Sequence, residues 1–124
     1  MQIVNFDRLP RERFGERGET VPLVNAAVGS KHVDVHINIL SPGGPDGAYH
    51  FHPENENIYI ILRGRGRFVA DGEEYMLGQH DVVFIPPGVK HSLSVFGTDE
   101  LVLIEIYAPL PVATCDVTDT VNRR

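Results

Sequence analysis

Two histidines separated by a single residue lie in the segment YHFHPENENIY, residues 49–59. In an extended chain, residues two apart project from the same face, so His50 and His52 can direct both imidazoles toward one ion. Imidazole nitrogens bind divalent transition metals at about 2.0–2.1 Å. His91 adds a third imidazole, because the turn-forming sequence PPG at 86–88 returns the chain into a strand that carries it. The spacing therefore predicts a metal site built from three histidines.

The segments around these histidines alternate with a period of two residues, which is typical of strands. In HVDVHINIL, residues 32–40, every second side chain is apolar up to residue 39. Similar short segments recur up to residue 108, and Gly- and Pro-rich breaks separate them. Short strands at this spacing, without a helical segment, predict an all-β antiparallel sandwich or barrel over residues 21–108.

The two ends of the chain lack this alternation. Residues 1–20 carry dispersed charges of both signs, so we expect an irregular N-terminal arm. Residues 109–124 begin with PLP and show no periodicity. They are expected to form a C-terminal tail that follows the surface or frays.

Length and composition limit the classes of function. A chain of 124 residues is the size of one domain, and its net charge of −6 argues against binding to nucleic-acid phosphates. The N-terminus lacks the apolar run of a signal peptide, and no segment reaches the ~20 apolar residues of a membrane span. Cys115 is the single cysteine, which precludes an internal disulfide and favours a reducing compartment. We therefore expect a cytoplasmic protein that binds neither membranes nor nucleic acids.

Both histidine motifs resemble those of the cupin superfamily. The first cupin motif places H-x-H five residues after a glycine and ends at a second glycine, as residues 44–64 do here. The second motif joins P-x-G to a histidine after two further residues, as in PPGVKH at 86–91. This sequence departs from the second motif at His80, which stands in place of a glycine, and at Val95, which stands in place of an asparagine.

The resemblance covers roughly residues 30–108. It implies a double-stranded β-helix, the jelly-roll barrel of small single-domain, RmlC-like cupins. It also implies one divalent transition metal per chain, with a small-molecule ligand or substrate bound at the mouth of the barrel.

The fourth ligand of the family is a glutamate, and here two residues compete for its position. The family's interval of six residues before the closing glycine, Gly64, leads to Asn57, whereas a three-residue interval after His52 leads to Glu56. Cupins keep the interval to the glycine more strictly, which favours Asn57. Glu56 remains the alternative, because a local bulge would reverse the assignment.

An amide in place of the carboxylate would change the chemistry of the ion. Neutral imidazoles and an amide oxygen leave a divalent ion with its full charge, so the site should bind metal less tightly but act as a stronger Lewis acid. Three histidines suit Zn, Fe, Ni, Mn or Cu and do not select among them. The competing interpretation is that loss of the carboxylate marks a cupin without a metal.

Residues on inward strand faces are further candidates for catalysis or substrate contact. His36 and Asn38 could orient a substrate or could face water. The Tyr59 hydroxyl could stabilise an oxyanion, or the residue could be a core aromatic. Glu105 interrupts the apolar segment LVLIEIYA. It could be a general base with a raised pKa, or a charge that discourages aggregation at an edge strand.

Two functions from different classes fit these residues. The first is a mononuclear metal enzyme that acts on a small oxygenated metabolite. Dioxygenase chemistry would require a redox-active metal, and isomerase, epimerase or lyase chemistry would be possible with Zn. The second is a non-catalytic module that binds a small ligand or a carbohydrate.

Strands that are apolar on both faces, such as IYIIL, also predict a homodimer. Met76 and Phe84 are assigned to the core.

Overall fold

Short strands are the main regular elements of residues 1–117, the part of the chain that the computed structural model describes. The longest strands have eight residues, as the frequent Gly and Pro breaks predict. Short 3-10 turns at Phe6–Arg8 and Ala26–Val28 are the helical elements of this part. The strands are β1 (Glu12–Phe14), β2 (Gly18–Val24), β3 (Asp34–Leu40), β4 (His50–Phe51), β5 (Glu56–Arg63), β6 (Gly66–Ala70), β7 (Glu73–Leu77), β8 (Val82–Ile85), β9 (His91–Val95), β10 (Leu101–Ala108) and β11 (Cys115–Asp116).

The strands form two antiparallel sheets around a shared core. One sheet has the order β1-β2-β3-β10-β5-β8, and the other has the order β11-β4-β9-β6-β7. Neighbours such as β3 and β10 are far apart in the sequence, as in a jelly roll and unlike an up-and-down barrel. The predicted all-β, double-stranded β-helix is therefore confirmed.

Strand β5 shows how the alternation in the sequence becomes a barrel wall. Asn57, Tyr59 and Ile61 are buried, and the residues between them are half-buried. The inward residues of β5 and β10 meet side chains from the opposite sheet. Together they form the main apolar cluster, which comprises Leu40, Tyr59, Ile61, Phe68, Ile85, Leu93, Leu101 and Leu103.

The N-terminal segment is more regular than the sequence predicted. Strand β1 and the start of β2 lie within residues 1–20 and form a hairpin at one edge of the six-stranded sheet. On β2, Val21 packs with Ile37 and Ile39 of β3 in a second apolar cluster. The side chains of β1 are exposed or half-buried, so no apolar alternation marks this strand in the sequence.

The segment after residue 108 is also ordered as far as residue 117. Strand β11 pairs with β4 in the five-stranded sheet. The buried side chain of Asn55 donates to the carbonyl oxygens of Pro109 and Pro111 and accepts a hydrogen bond from the N–H of Ala113 at 3.0 Å. The first half of the predicted tail is therefore held against the barrel. Residues 118–124 lie outside the described residues.

The edge strands β7 and β8 expose apolar side chains. Met76 is 42% exposed and Phe84 is 55% exposed, so their assignment to the core is wrong. Both side chains lie on outward faces, and the nearby Val82 is 64% exposed. The exposed residues are compatible with self-association, and the homodimer stays a prediction, as does the cytoplasmic location. No helix within residues 1–117 has the length and apolar content needed to cross a membrane.

Gly64, which ends the first histidine motif, is required by the turn between β5 and β6. Its φ of +84° is in the left-handed region that favours glycine, and a Cβ atom there would lie 2.1 Å from the carbonyl oxygen of Glu100. Gly72 offers a comparison. Its φ is +85°, but a Cβ atom would meet nothing within 4 Å.

We predict that Gly64→Ala destabilises the protein more than Gly72→Ala. Both variants carry the backbone penalty of about 1–2 kcal/mol for a left-handed residue. The contact with Glu100 should add about 1–3 kcal/mol at Gly64 only. Urea denaturation of the two variants measures this difference in the free energy of unfolding. Equal losses would contradict the steric explanation.

Candidate metal centre

Adjacent strands bring the three histidines together. His50 on β4 is paired directly with His91 on β9, and His52 follows β4. The ring centroids of His50 and His91 are 4.4 Å apart, and the centroid of His52 lies 5.0 and 5.4 Å from them, respectively. One nitrogen of each ring lies within 4.8 Å of one nitrogen of the other two. The predicted histidines therefore form one cluster that could hold a metal ion.

Each imidazole is held in one orientation through its Nδ1 atom. In His50 and His91 the partner is the carbonyl oxygen of the residue two positions earlier, at 2.7 and 2.8 Å. In His52 it is the carbonyl oxygen of Ala113, at 3.0 Å. A carbonyl only accepts hydrogen bonds, so Nδ1 carries the proton and Nε2 presents a lone pair. Metal-binding histidines are commonly oriented by such a contact.

Three buried side-chain nitrogen or oxygen atoms within residues 1–117 lack a hydrogen-bond partner, namely Nε2 of His52, Nε2 of His91 and Oδ1 of Asn57. A buried acceptor left in this state costs about 1–3 kcal/mol. Burial lowers the pKa of His91 to about 4 and also lowers the pKa of His52, so both rings are neutral at pH 7. Neutral imidazoles and an amide oxygen form a donor set that a divalent transition metal accepts. The residues present therefore fit such an ion.

Asn57 is fully buried, and the partners of its amide nitrogen fix its orientation. Nδ2 donates to Oε2 of Glu105 at 3.2 Å and to the carbonyl oxygen of Ile106 at 3.0 Å. Both partners are acceptors, so the NH₂ group must face them and Oδ1 must face elsewhere. Glu56 is exposed, because it lies on the other face of β5. This placement favours Asn57 over Glu56 as a ligand.

Glu105 accepts four hydrogen bonds. Its Oε1 atom accepts from Nδ2 of Asn38 at 2.9 Å and from Nε2 of His36 at 3.2 Å. Its Oε2 atom accepts from Nδ2 of Asn57 and from the hydroxyl of Tyr107, the latter at 2.8 Å. A carboxylate offers about four lone-pair sites, so its capacity as an acceptor is used up.

These hydrogen bonds keep Glu105 ionised. Burial by itself would raise the pKa of Glu105, but the hydrogen bond and charge of His36, together with the bonds from Tyr107 and Asn57, lower it overall. The prediction of a raised pKa is therefore wrong. The edge-strand interpretation is wrong as well, because β10 lies between β3 and β5 inside the six-stranded sheet.

His36 lies between two carboxylates. Its Nδ1 atom is 2.8 Å from Oδ1 of Asp34, and its Nε2 atom is 3.2 Å from Oε1 of Glu105. Burial lowers the pKa of His36, but the hydrogen bonds and charges of Glu105 and Asp34 raise it overall. Because both ring nitrogens face acceptors, the protonated ring fits this position. His36 thus supports Glu105 from the side away from Asn57.

A cavity of about 350 Å³ borders the histidine cluster. Its walls include His50, His52, Tyr59 and Glu105. Tyr59 is 3% exposed and packs edge-on against Phe68, with ring centroids 5.7 Å apart. Burial and the charge of Glu105 raise the pKa of Tyr59 well above its ordinary value, so the hydroxyl keeps its proton. Tyr59 is therefore a core aromatic that also lines the cavity, and its role in stabilising an oxyanion stays a prediction.

Several cavity residues were not anticipated from the sequence, among them Arg17, Tyr107 and Thr114. Tyr107 could have been found, because it shares a strand face with Glu105, two residues earlier. Arg17 lies in the turn between β1 and β2, and Thr114 lies just before β11. No alternation marks either segment, so no pattern in the sequence identifies these two residues.

Comparison with known proteins identifies the family. The family model described as the cupin domain matches residues 36–107, which is more than half of the chain. The chain therefore belongs to the cupin family.

Individual proteins resemble the chain in sequence or in fold. An uncharacterized protein of Methanocaldococcus jannaschii is 33% identical over 65 residues, which are 52% of this chain and 52% of the relative. The chain spans about half the length of this relative and of a second curated relative, from Aquifex aeolicus. A Klebsiella pneumoniae protein with a double-stranded β-helix domain has a TM-score of 0.77 at 19% identity, covering 94% of this chain and 96% of its own. A predicted oxalate decarboxylase from Thermotoga maritima has a TM-score of 0.79 at 25% identity, covering 88% and 100%.

We predict that His91→Ala weakens the binding of Zn²⁺ or Co²⁺ by at least ~100-fold, because removal of a ligand should exceed the ~10–100-fold effect of outer contacts. His32→Ala provides the matched control, since His32 is exposed and lies outside the cluster. Isothermal titration calorimetry with each metal measures the change. Equal affinities in the two variants would show that the cluster is not a metal site.

A second prediction concerns the amide of Asn57. Asn57→Asp places a carboxylate against two acceptors, Oε2 of Glu105 and the carbonyl of Ile106. Leaving a buried charge uncompensated costs about 3–5 kcal/mol, and the double variant with Glu105→Gln should recover much of that loss, because the new amide can donate. The wild type, the two single variants and the double variant are compared by urea denaturation in EDTA, which removes any contribution of bound metal to the free energy of unfolding. If the losses of the two single variants simply add in the double variant, the contact between residues 57 and 105 is contradicted.

Proposed function

We propose that this chain is a metal-dependent enzyme that acts on a small oxygenated metabolite. The observation that carries the proposal is the set of unpartnered buried acceptors on His52, His91 and Asn57. His50 completes the set and lies in the wall of the cavity. Structural metal sites are closed by protein ligands, whereas catalytic sites keep a position that a ligand can reach. A cluster that borders a cavity fits a catalytic metal site.

The proposed ligands are His50, His52, His91 and Asn57, around one divalent transition metal. Lewis-acid polarisation of a carbonyl, carboxylate or enolate oxygen is the chemistry that such an ion supplies when bound. Burial keeps the imidazoles of His52 and His91 neutral by lowering their pKa values, and the carbonyl contacts of Nδ1 orient all three rings. Metal identity selects between redox and non-redox reactions, and this donor set accepts Zn as well as Fe, Ni, Mn or Cu.

We assign a positioning role to Glu105. Its carboxylate holds the NH₂ group of Asn57, so that Oδ1 remains available, and places a negative charge one hydrogen bond away from the proposed ligand. This charge compensates in part for the carboxylate that the family pattern has at position 57. His36 and Asp34 continue the chain of hydrogen bonds away from the cavity.

The two tyrosines of the cavity can act as hydrogen-bond donors. Burial and the charge of Glu105 raise the pKa of both Tyr59 and Tyr107 above the ordinary value. Protonated hydroxyls cannot serve as general bases at neutral pH, but they can stabilise a developing oxyanion. The Tyr107 hydroxyl already donates to Glu105. Tyr59 is therefore the better candidate for contact with substrate.

The second candidate is a non-catalytic module that binds a small ligand or a carbohydrate. The observation that favours it is Asn57, because a neutral ligand binds a divalent ion less tightly than the carboxylate of the family pattern. The likeness to the predicted oxalate decarboxylase supports the enzyme instead.

Metal analysis followed by a turnover screen separates the two functions. The purified protein is assayed for bound metal, then loaded in turn with Zn, Fe(II), Ni and Mn and tested on diketones, keto acids and sugar derivatives. We expect turnover with at least one metal, its loss in His52→Ala because a ligand is removed, and its retention in His32→Ala. Tight binding of ligands without turnover under every metal would favour the module.

A further inference from the structure

A guanidinium group lies in the same cavity as the histidine cluster. Arg17 belongs to the turn between β1 and β2 and lines the cavity together with His50 and His52. The N–H of Ser41 donates to the Arg17 carbonyl at 2.8 Å, which holds the backbone of the turn. The side chain then crosses to the other sheet, where Nη2 donates to the carbonyl oxygen of Leu93 at 3.1 Å.

Among the described residues, no carboxylate lies within the 4.0 Å of a salt bridge to this guanidinium. Within residues 1–117, its one side-chain hydrogen bond is the contact with Leu93, and no carboxylate forms a salt bridge with it. The carboxylate of Asp46 pairs with Arg67 instead, at 3.5 Å. A guanidinium carries five N–H donors, so most of the donors of Arg17 are free to meet a ligand.

The position of Arg17 also carries an electrostatic cost. Burial lowers the pKa of Arg17, and the neighbouring groups Tyr59, Glu105 and Asp46 offset that effect only in part. A partly buried cation that lacks a paired anion is unfavourable, and an anion bound in the cavity would relieve the cost.

The surrounding chain leaves space for this side chain. A Cβ atom on Gly47 would lie 2.5 Å from Nη1 of Arg17. Gly47 also lines the cavity, so a larger residue there would displace the guanidinium from its place. A purely structural link to the Leu93 carbonyl would need only one neutral donor, and it would not explain a partly buried charge with free donors.

We propose that Arg17 binds a carboxylate group of the substrate, while a carbonyl or hydroxyl oxygen of the same molecule reaches the histidine end of the cavity. A carboxylate fits the planar fork of a guanidinium through two parallel hydrogen bonds. A phosphate dianion fits less well, because Glu105 and Asp116 already place negative charge in the cavity walls. This inference rests on the proposed function and narrows its substrate class to small keto or hydroxy acids.

The test compares small keto and hydroxy acids with their neutral amide isosteres. Binding of each pair to the zinc-loaded protein is measured by isothermal titration calorimetry. We expect the wild type to prefer acids by about 10–100-fold, the range of a charged hydrogen bond, and Arg17→Met to abolish that preference. Arg17→Lys should retain part of it, because the charge stays but the planar fork is lost.

Arg63→Met is the matched control, since Arg63 is exposed and pairs with Glu100 outside this cavity. It should leave the preference for acids unchanged. Metal content and melting temperature are measured for every variant, and Arg17→Met should keep its metal. The proposal would be overturned by a wild type that shows no preference for acids, by a preference that survives in Arg17→Met, or by inorganic phosphate binding more tightly than the acids.

The same titrations in EDTA separate this proposal from the proposed function. If the protein binds no metal but still prefers acids through Arg17, the metal enzyme is wrong and the anion site stands. If the metal binds and no acid is preferred, the anion site is wrong and the metal centre stands.

Discussion

The carboxylate of Glu105, buried in the middle of the six-stranded sheet, constrains the rest of the site. Ionised and surrounded by protein, it is tolerable only because side chains from three strands donate to it. Each donor is thereby fixed in turn. Asn57 must present its NH₂ group, which leaves its oxygen unpartnered, and His36 takes up a proton and turns its other nitrogen to Asp34. One buried charge thus determines the orientation of residues on β3, β5 and β10.

The two chain segments outside the regular barrel build the remaining walls. The segment that follows β10 is held by Asn55, and this brings the carbonyl of Ala113 against Nδ1 of His52. The turn that precedes β2 brings Arg17 into the cavity from the opposite end of the sequence. The histidine cluster and the Arg17 guanidinium therefore border the same cavity, although different strands and turns carry them. A ligand that fills this volume can contact both.

Asn57 and Glu105 together keep a negative charge near the candidate site, but they place it behind position 57 and not at that position. A carboxylate at position 57 could not donate to Glu105, so the amide and the buried carboxylate depend on each other. The negative charge lies one hydrogen bond behind the proposed ligand, where it would stabilise a bound ion less but would leave that ion more able to polarise an oxygen. This arrangement gives a physical reason for the departure of the chain from the family pattern.

The sequence by itself determined the all-β fold and the three histidines of the cluster. Period-two alternation and turn chemistry are local properties, so they can be read without a structure. The family's interval to Gly64 led to Asn57, and the structure shows that this residue is buried whereas Glu56 is exposed. Only the tertiary structure decided the protonation of Glu105, the exposure of Met76 and the entry of Arg17 into the cavity. These properties depend on which strands become neighbours and on what covers each face of the sheets. Pairing between strands that are distant in the sequence leaves no recognisable pattern in the residues of either strand alone.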